Sequence, residues 1–180
     1  MRHWLALALL ALLACDPAPA EPAPASTPPG TVAARATVAV RPTVRFVHAE
    51  AGDLPAVVLG ARETAAKEGR TLLVYVGAPW CEPCGFFHQA VDAGRLEGKL
   101  PPLLLLELDR DVDEARLAEA GYLSRLIPLF AVPGVDGRAG PLRMEGSIKG
   151  EGAVDEILPR LTALVARANS LSAPAPRAAP

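Results

Sequence analysis

Apolar and polar positions change period several times along the middle of this chain. "TVRFVHA" (43–49) alternates and is β-branched, which predicts a strand. Asp53 then stands as an N-cap before "LPAVVLGARETAAKEG", with Pro55 tolerated in the first turn and Gly69 closing a helix. "RTLLVYVGA" (70–78) is a short run rich in Leu and Val, as a strand buried on both faces requires. A helix is expected through "GFFHQAVDAGRLEG" (85–98), and "LLLLELD" (103–109) reads as a second buried strand. "DVDEARLAEAGYL" (111–123) is an amphipathic helix whose early acids suit the dipole. "IPLFAVPGVDGRAGPLRMEGSI" reads as two strands joined by a turn around "VDGRAG". "EGAVDEILPRLTALVARAN" is a closing helix in which Pro159 is expected to cause an end or a kink. Alternation followed by a terminal hairpin predicts an α/β fold, a central mixed β-sheet with helices on both faces.

The two ends of the chain have a different character. "MRHWLALALLALLAC" carries a basic residue and then an apolar run from Trp4 to Ala14. That run is too short for a bilayer span, and it has the layout of a secretory signal. The stretch Leu12-Leu13-Ala14-Cys15 resembles the lipobox of bacterial lipoproteins. The resemblance implies a signal peptide over 1–14 and a lipidated Cys15 as the first mature residue. Residues 15–42 are rich in Pro and Ala and bury too little to offset ordering entropy, so they read as a semi-stiff tether. The segment 169–180 ("SAPAPRAAP" at its end) reads as a disordered tail. This leaves residues 43–168 as one domain. Alanine inflates the 51% hydrophobic content, which therefore does not indicate a membrane protein. A net charge of −2 without a basic stripe argues against nucleic acid as a partner.

Chemistry concentrates in "GAPWCEPCGFF" (77–87), where Cys81 and Cys84 are the only cysteines besides Cys15. Disulfide exchange needs an activated thiolate and a second thiol near enough to resolve the mixed disulfide. A cysteine at a helix N-terminus meets unpaired N–H groups and the positive end of the dipole, which lower its pKa. Cys81 has that place; Cys84, one turn deeper, can attack the bond that Cys81 forms with a substrate.

"VYVGAPWCEPCGFFHQAV", Ile127-Pro128 and Gly146 before the last helix together resemble the thioredoxin-fold family over residues 43–168. The resemblance implies a thioredoxin fold and thiol–disulfide oxidoreductase activity, with Cys81 and Cys84 as the redox-active disulfide. It further implies a cis Ile127–Pro128 opposite the cysteines, so that Trp80, Ile127 and Pro128 contact substrate. Thioredoxins also carry a buried Asp five residues before the Trp and a Lys beside it. The matching residues here are Tyr75 and Leu105, an apolar pair in place of an ionic one. Deprotonation of Cys84 then falls to another group, with Glu82 as first candidate and Glu107 as second.

No cofactor is expected. Gly85 follows the motif where haem attachment wants His. His88, four residues beyond Cys84, makes at most three ligands with the two thiols, and structural zinc wants four, so no metal site is assigned. His3 and His48 receive no role. Phe86, Phe87 and Tyr122 read as core or rim residues. The expected partners are exported protein thiols and disulfides, a membrane electron donor or acceptor, and the membrane itself through Cys15, the protein being a monomer in the cell envelope that faces the periplasm. The competing reading is a thioredoxin-fold binding module or copper carrier that uses the same two cysteines.

Overall fold

Runs of Leu and Val too short for helices form the centre of a sheet, and the amphipathic stretches between them cover it. A computed structural model describes residues 42–172; the expected leader over 1–14, Cys15, the tether up to residue 41 and the tail from residue 173 lie outside the described residues. The elements are β1 (Val44–His48), α1 (Leu54–Glu68), β2 (Thr71–Gly77), α2 (Glu82–Asp92), β3 (Leu103–Asp109), α3 (Glu114–Ala120), β4 (Leu129–Pro133), β5 (Ala139–Glu145) and α4 (Ala153–Ser172). Their order is the one that the hydrophobic pattern predicts.

The sheet has five strands in the order β1-β3-β2-β4-β5. β3 runs parallel to both β1 and β2, while β4 is antiparallel to β2 and to β5. The two central strands are also the most apolar: Leu73, Val74, Tyr75, Val76, Leu103, Leu104 and Leu105 have no exposed surface. Helices α1 and α3 pack together, and α2 packs with α4. Phe46, Tyr75 and Phe130, from β1, β2 and β4, meet Phe87 of α2 at ring-centroid distances of 5.1–6.1 Å. This is the α/β architecture expected, a thioredoxin-like fold. No helix among the described residues is long and apolar enough to cross a membrane.

Helix ends follow local chemistry more closely than apolar period. The Asp53 carboxylate accepts from the Ala56 N–H at 3.0 Å, and Gly69 closes α1 with φ +66°. α2 stops at Asp92 instead of continuing to Gly98, because Gly94 turns left-handed (φ +66°) and Arg95 N–H returns to Ala90 O. α3 starts at Glu114, three residues later than expected. Asp109 Oδ1 accepts from the N–H groups of Asp111 and Val112, which holds that stretch in a turn. Pro159 does not end α4, which runs unbroken to Ser172. Pro159 and Asp155, whose carbonyl loses its helical N–H partner to the proline, both lie on the exposed side of the helix. Ile157, Leu161 and Val165 are meanwhile buried on the inner face. Residues 169–172, expected in the tail, are thus the last turn of this helix.

Candidate functional site

β2 ends at Gly77, and a turn through Ala78 and Pro79 brings Cys81 to the start of α2, its N–H donating to Ala78 O at 3.0 Å. Cys81 is the N-cap residue, extended at φ −80° and ψ 99°, and its Sγ accepts from Cys84 N–H at 3.3 Å. Glu82 and Pro83 occupy the first turn, where Pro83 lacks only an N–H that would find no helical partner. Cys81 and Cys84 are joined as a disulfide with a Cα–Cα distance of 5.2 Å. They are 5% and 3% exposed, so exposure does not separate their roles; position does. Cys81 caps the helix, whereas Cys84 lies one turn inside it.

Antiparallel pairing of Val76 with Leu129 carries the next residues, Gly77 and Pro128, to the same end of the sheet. Ile127–Pro128 is a cis peptide there, as expected, and both residues are buried. Pro128 O accepts from Gly146 N–H at 2.9 Å. Gly146 holds φ +67°, and a Cβ on it would stand 3.3 Å from the Leu126 side chain, so glycine suits this junction. Trp80 is 64% exposed and donates its indole N–H to Asp111 Oδ2 at 2.6 Å. That bond, before all else, holds the Asp111 carboxyl below its ordinary range. Arg110 bonds Asp111 Oδ1 and also Ser124 O, tying the tryptophan loop to the segment before Ile127. Phe87 and Tyr122 are core residues and Phe86 is half-buried; the Tyr122 hydroxyl donates to Gly137 O at 2.9 Å.

Below the cysteines the register overturns one expectation. Leu105 is paired with Leu73, and the β3 residue beside Tyr75 is Glu107. The error comes from counting along the sequence: it put the neighbour of Tyr75 two residues too early, and the floor is not purely apolar. His48 sits on the other side of Glu107 in the same register. Its Nδ1 is 3.1 Å from Glu107 Oε2, and His88 Nε2 of α2 is 2.8 Å from Glu107 Oε1. The His88 ring stacks on Phe46 at 4.1 Å, which fixes its edge toward the carboxylate. The Glu107 side chain is only 17% exposed, and that of His48 is 89% exposed.

These groups line a cleft of about 460 Å³ together with Cys84 and Gly85. Tyr75 also lines it, and its hydroxyl is buried with no hydrogen-bond partner among the described residues. Burial, reinforced by the nearby Glu107 charge, pushes the Tyr75 pKa upward and keeps the phenol protonated. Glu82, the first-choice acid/base, is exposed and is not part of the cleft lining. The only sequence signal for Glu107 is an acid set between leucines in a largely apolar strand. His48 gave none beyond its place near a strand end.

Among the described residues, no group of three or more His, Cys, Asp or Glu side chains is arranged to hold a metal ion. No protein-family model matches the chain, and no curated protein matches its sequence. The residues themselves thus carry the reading: a thioredoxin-like fold with a disulfide across the first turn of a helix, an arrangement compatible with thiol–disulfide chemistry.

Proposed function

We propose that this protein is a thiol–disulfide oxidoreductase of the cell envelope, exchanging disulfides with exported proteins through Cys81-Glu82-Pro83-Cys84. The observation that carries this reading is the Cys81–Cys84 disulfide in the first turn of α2, with Cys81 as the capping residue. A thiolate released at that position faces unpaired backbone N–H groups and the positive dipole end, which favour the charged form. In the reducing direction the Cys81 thiolate attacks a substrate disulfide, forming a mixed disulfide and expelling one substrate thiolate. Cys84 then attacks Cys81 Sγ, restoring the internal disulfide and releasing the second substrate thiol. Each cycle moves two electrons to the substrate, so a membrane thiol donor must reduce the pair again.

The direction proposed is reduction, based on the Glu82-Pro83 pair and the short connection between α2 and β3. The anchor and location rest on the Leu12–Cys15 motif and on the Pro- and Ala-rich stretch after it. A lipid on Cys15 would hold the domain near a donor, and the tether would let it reach substrates. Ile127, Pro128 and Trp80 are proposed to receive an extended substrate segment alongside the disulfide.

Insulin-disulfide reduction with dithiothreitol as donor tests the reading. The wild type is expected to accelerate it, and Cys81→Ser to abolish the acceleration. A wild type that is inactive yet binds Cu(I) through Cys81 and Cys84 would make the protein a carrier instead.

A further inference from the structure

The oxidoreductase reading leaves one proton without a destination. Cys84 must lose its S–H proton before it can attack, and it is almost fully buried. We propose that Glu107 takes this proton across the cleft that it shares with Cys84, and that His48 and His88 hold its carboxylate in place from either side. This inference rests on the function proposed above and adds a site residue to it.

The groups facing the cleft narrow the choice. Tyr75 is kept protonated by burial, so it is no acceptor. Asp109 Oδ1 is engaged by the N–H groups of Asp111 and Val112. Asp113 accepts from Asp109 N–H through one oxygen and from Arg116 through the other. Arg116 is a cation and a donor, bound also to Glu50 O at 2.6 Å. His88 Nε2 lies 2.8 Å from Glu107 Oε1 and His48 Nδ1 lies 3.1 Å from Oε2, so both imidazoles stand against the carboxylate. Glu107 differs from both aspartates in that its neighbours are imidazoles, which can shift with a proton, and neither a fixed backbone N–H nor a guanidinium. It lies beside Tyr75 on β2, beneath the helix that carries Cys84.

The step balances in both directions. When Cys84 attacks, its S–H bond breaks, the proton passes to Glu107, a Cys84–Cys81 S–S bond forms, and the Cys81–substrate bond breaks with its electron pair leaving on the substrate sulfur. In reverse, a substrate thiolate opens the internal disulfide at Cys81 and Cys84 leaves with the electron pair. Glu107 then returns the proton to it. The assignment therefore holds for a reductase and for an oxidase. His48 and His88 are positioning residues, because they act through the carboxylate.

The test uses the full chain carrying Cys15→Ala, reduced and mixed with Ellman's reagent in a stopped-flow instrument. The first thionitrobenzoate released reports attack by Cys81, and the second reports attack by Cys84 on the mixed disulfide. With Glu107→Gln, the ratio of the second rate to the first is expected to fall about 100-fold at pH 7. The variant's second rate is expected to climb about tenfold per pH unit toward the ordinary thiol pKa, where the wild type is flatter. Glu107→Asp should recover part of the loss. His88→Asn should alter the pH profile of the second release while leaving the Glu107 carboxylate in place, which keeps the test open if Glu107→Gln does not fold. An unchanged ratio and pH profile in a folded Glu107→Gln would overturn the inference and leave the oxidoreductase reading intact. A wild type showing no second release would instead remove both.

Discussion

On the helix side of the cleft, Cys81 and Cys84 are joined by a single turn of α2; on the sheet side, His48, Tyr75 and Glu107 come from three strands and meet only through register. The helix pair is a local object. It survives any arrangement of the sheet that leaves the turn intact. The floor is non-local: a slip of one residue between neighbouring strands would turn the partner's side chain to the opposite face. Two halves of one site thus depend on different kinds of structure. A perturbation can reach either half separately.

The sharpest way to break the comparison is Cys81→Ser. It should abolish turnover in the insulin assay while leaving thermal unfolding close to that of the reduced wild type, since one buried thiol is exchanged for a similar group and the cross-link is absent from both. Glu82→Gln should slow the Cys84 step less than Glu107→Gln does, because Glu82 is exposed and lies outside the cleft. If the order of the two glutamines were reversed, the helix side alone would carry the proton chemistry.

The floor should fail by stability before it fails by chemistry. Phe87 is fully buried and contacts the rings of Phe46, Tyr75 and Phe130. Phe87→Ala is expected to cost about 3–5 kcal/mol in denaturant unfolding. A loss under about 1 kcal/mol would mean that the helix does not lean on the aromatic floor. Tyr75→Phe acts in the opposite sense, because it removes a buried hydroxyl that has no partner among the described residues. It should stabilise the fold by about 1 kcal/mol. Destabilisation of that size would show that the hydroxyl is satisfied, by water in the cleft.

The smallest effect concerns the rim. The Asp111 carboxyl is held below its ordinary range chiefly by the Trp80 indole N–H. A lowered folded pKa means that this contact is fully present above the unfolded value of about 3.9 and is lost as pH falls through the folded value. The Trp80 indole N–H resonance should therefore stay fixed from neutrality down to about pH 4 and move only below it. Movement between pH 7 and pH 5 would place the bond under the control of some other group.

What the sequence made legible follows the same division between local and non-local. The helix N-cap at Asp53, the Cys-x-x-Cys turn and the order of elements along the chain needed only neighbours in sequence. So did the cis Ile127–Pro128, through the resemblance that named it. Counting along the sequence sets Leu105 beside Tyr75, whereas a parallel pair has no turn to fix its register and the neighbour is Glu107. His48 is not legible as a site residue because it meets Glu107 only across the β1–β3 pairing, far away in sequence. Helix lengths differ from the expectation for local reasons that periodicity ignores: a side chain competing for backbone N–H groups at Asp109, a left-handed Gly94, and a proline at position 159 that lies on the exposed side of its helix.

The central claim is that Cys81 and Cys84 form a working redox couple. It is tested most directly by equilibrating the full chain, with Cys15→Ala so that only one pair of thiols is counted, against glutathione buffers and reading the thiols by alkylation shift. The account expects a reversible two-electron couple near the thioredoxin value of about −270 mV. A couple near −120 mV would reverse the proposed direction. A pair that never cycles between disulfide and dithiol would contradict the account itself.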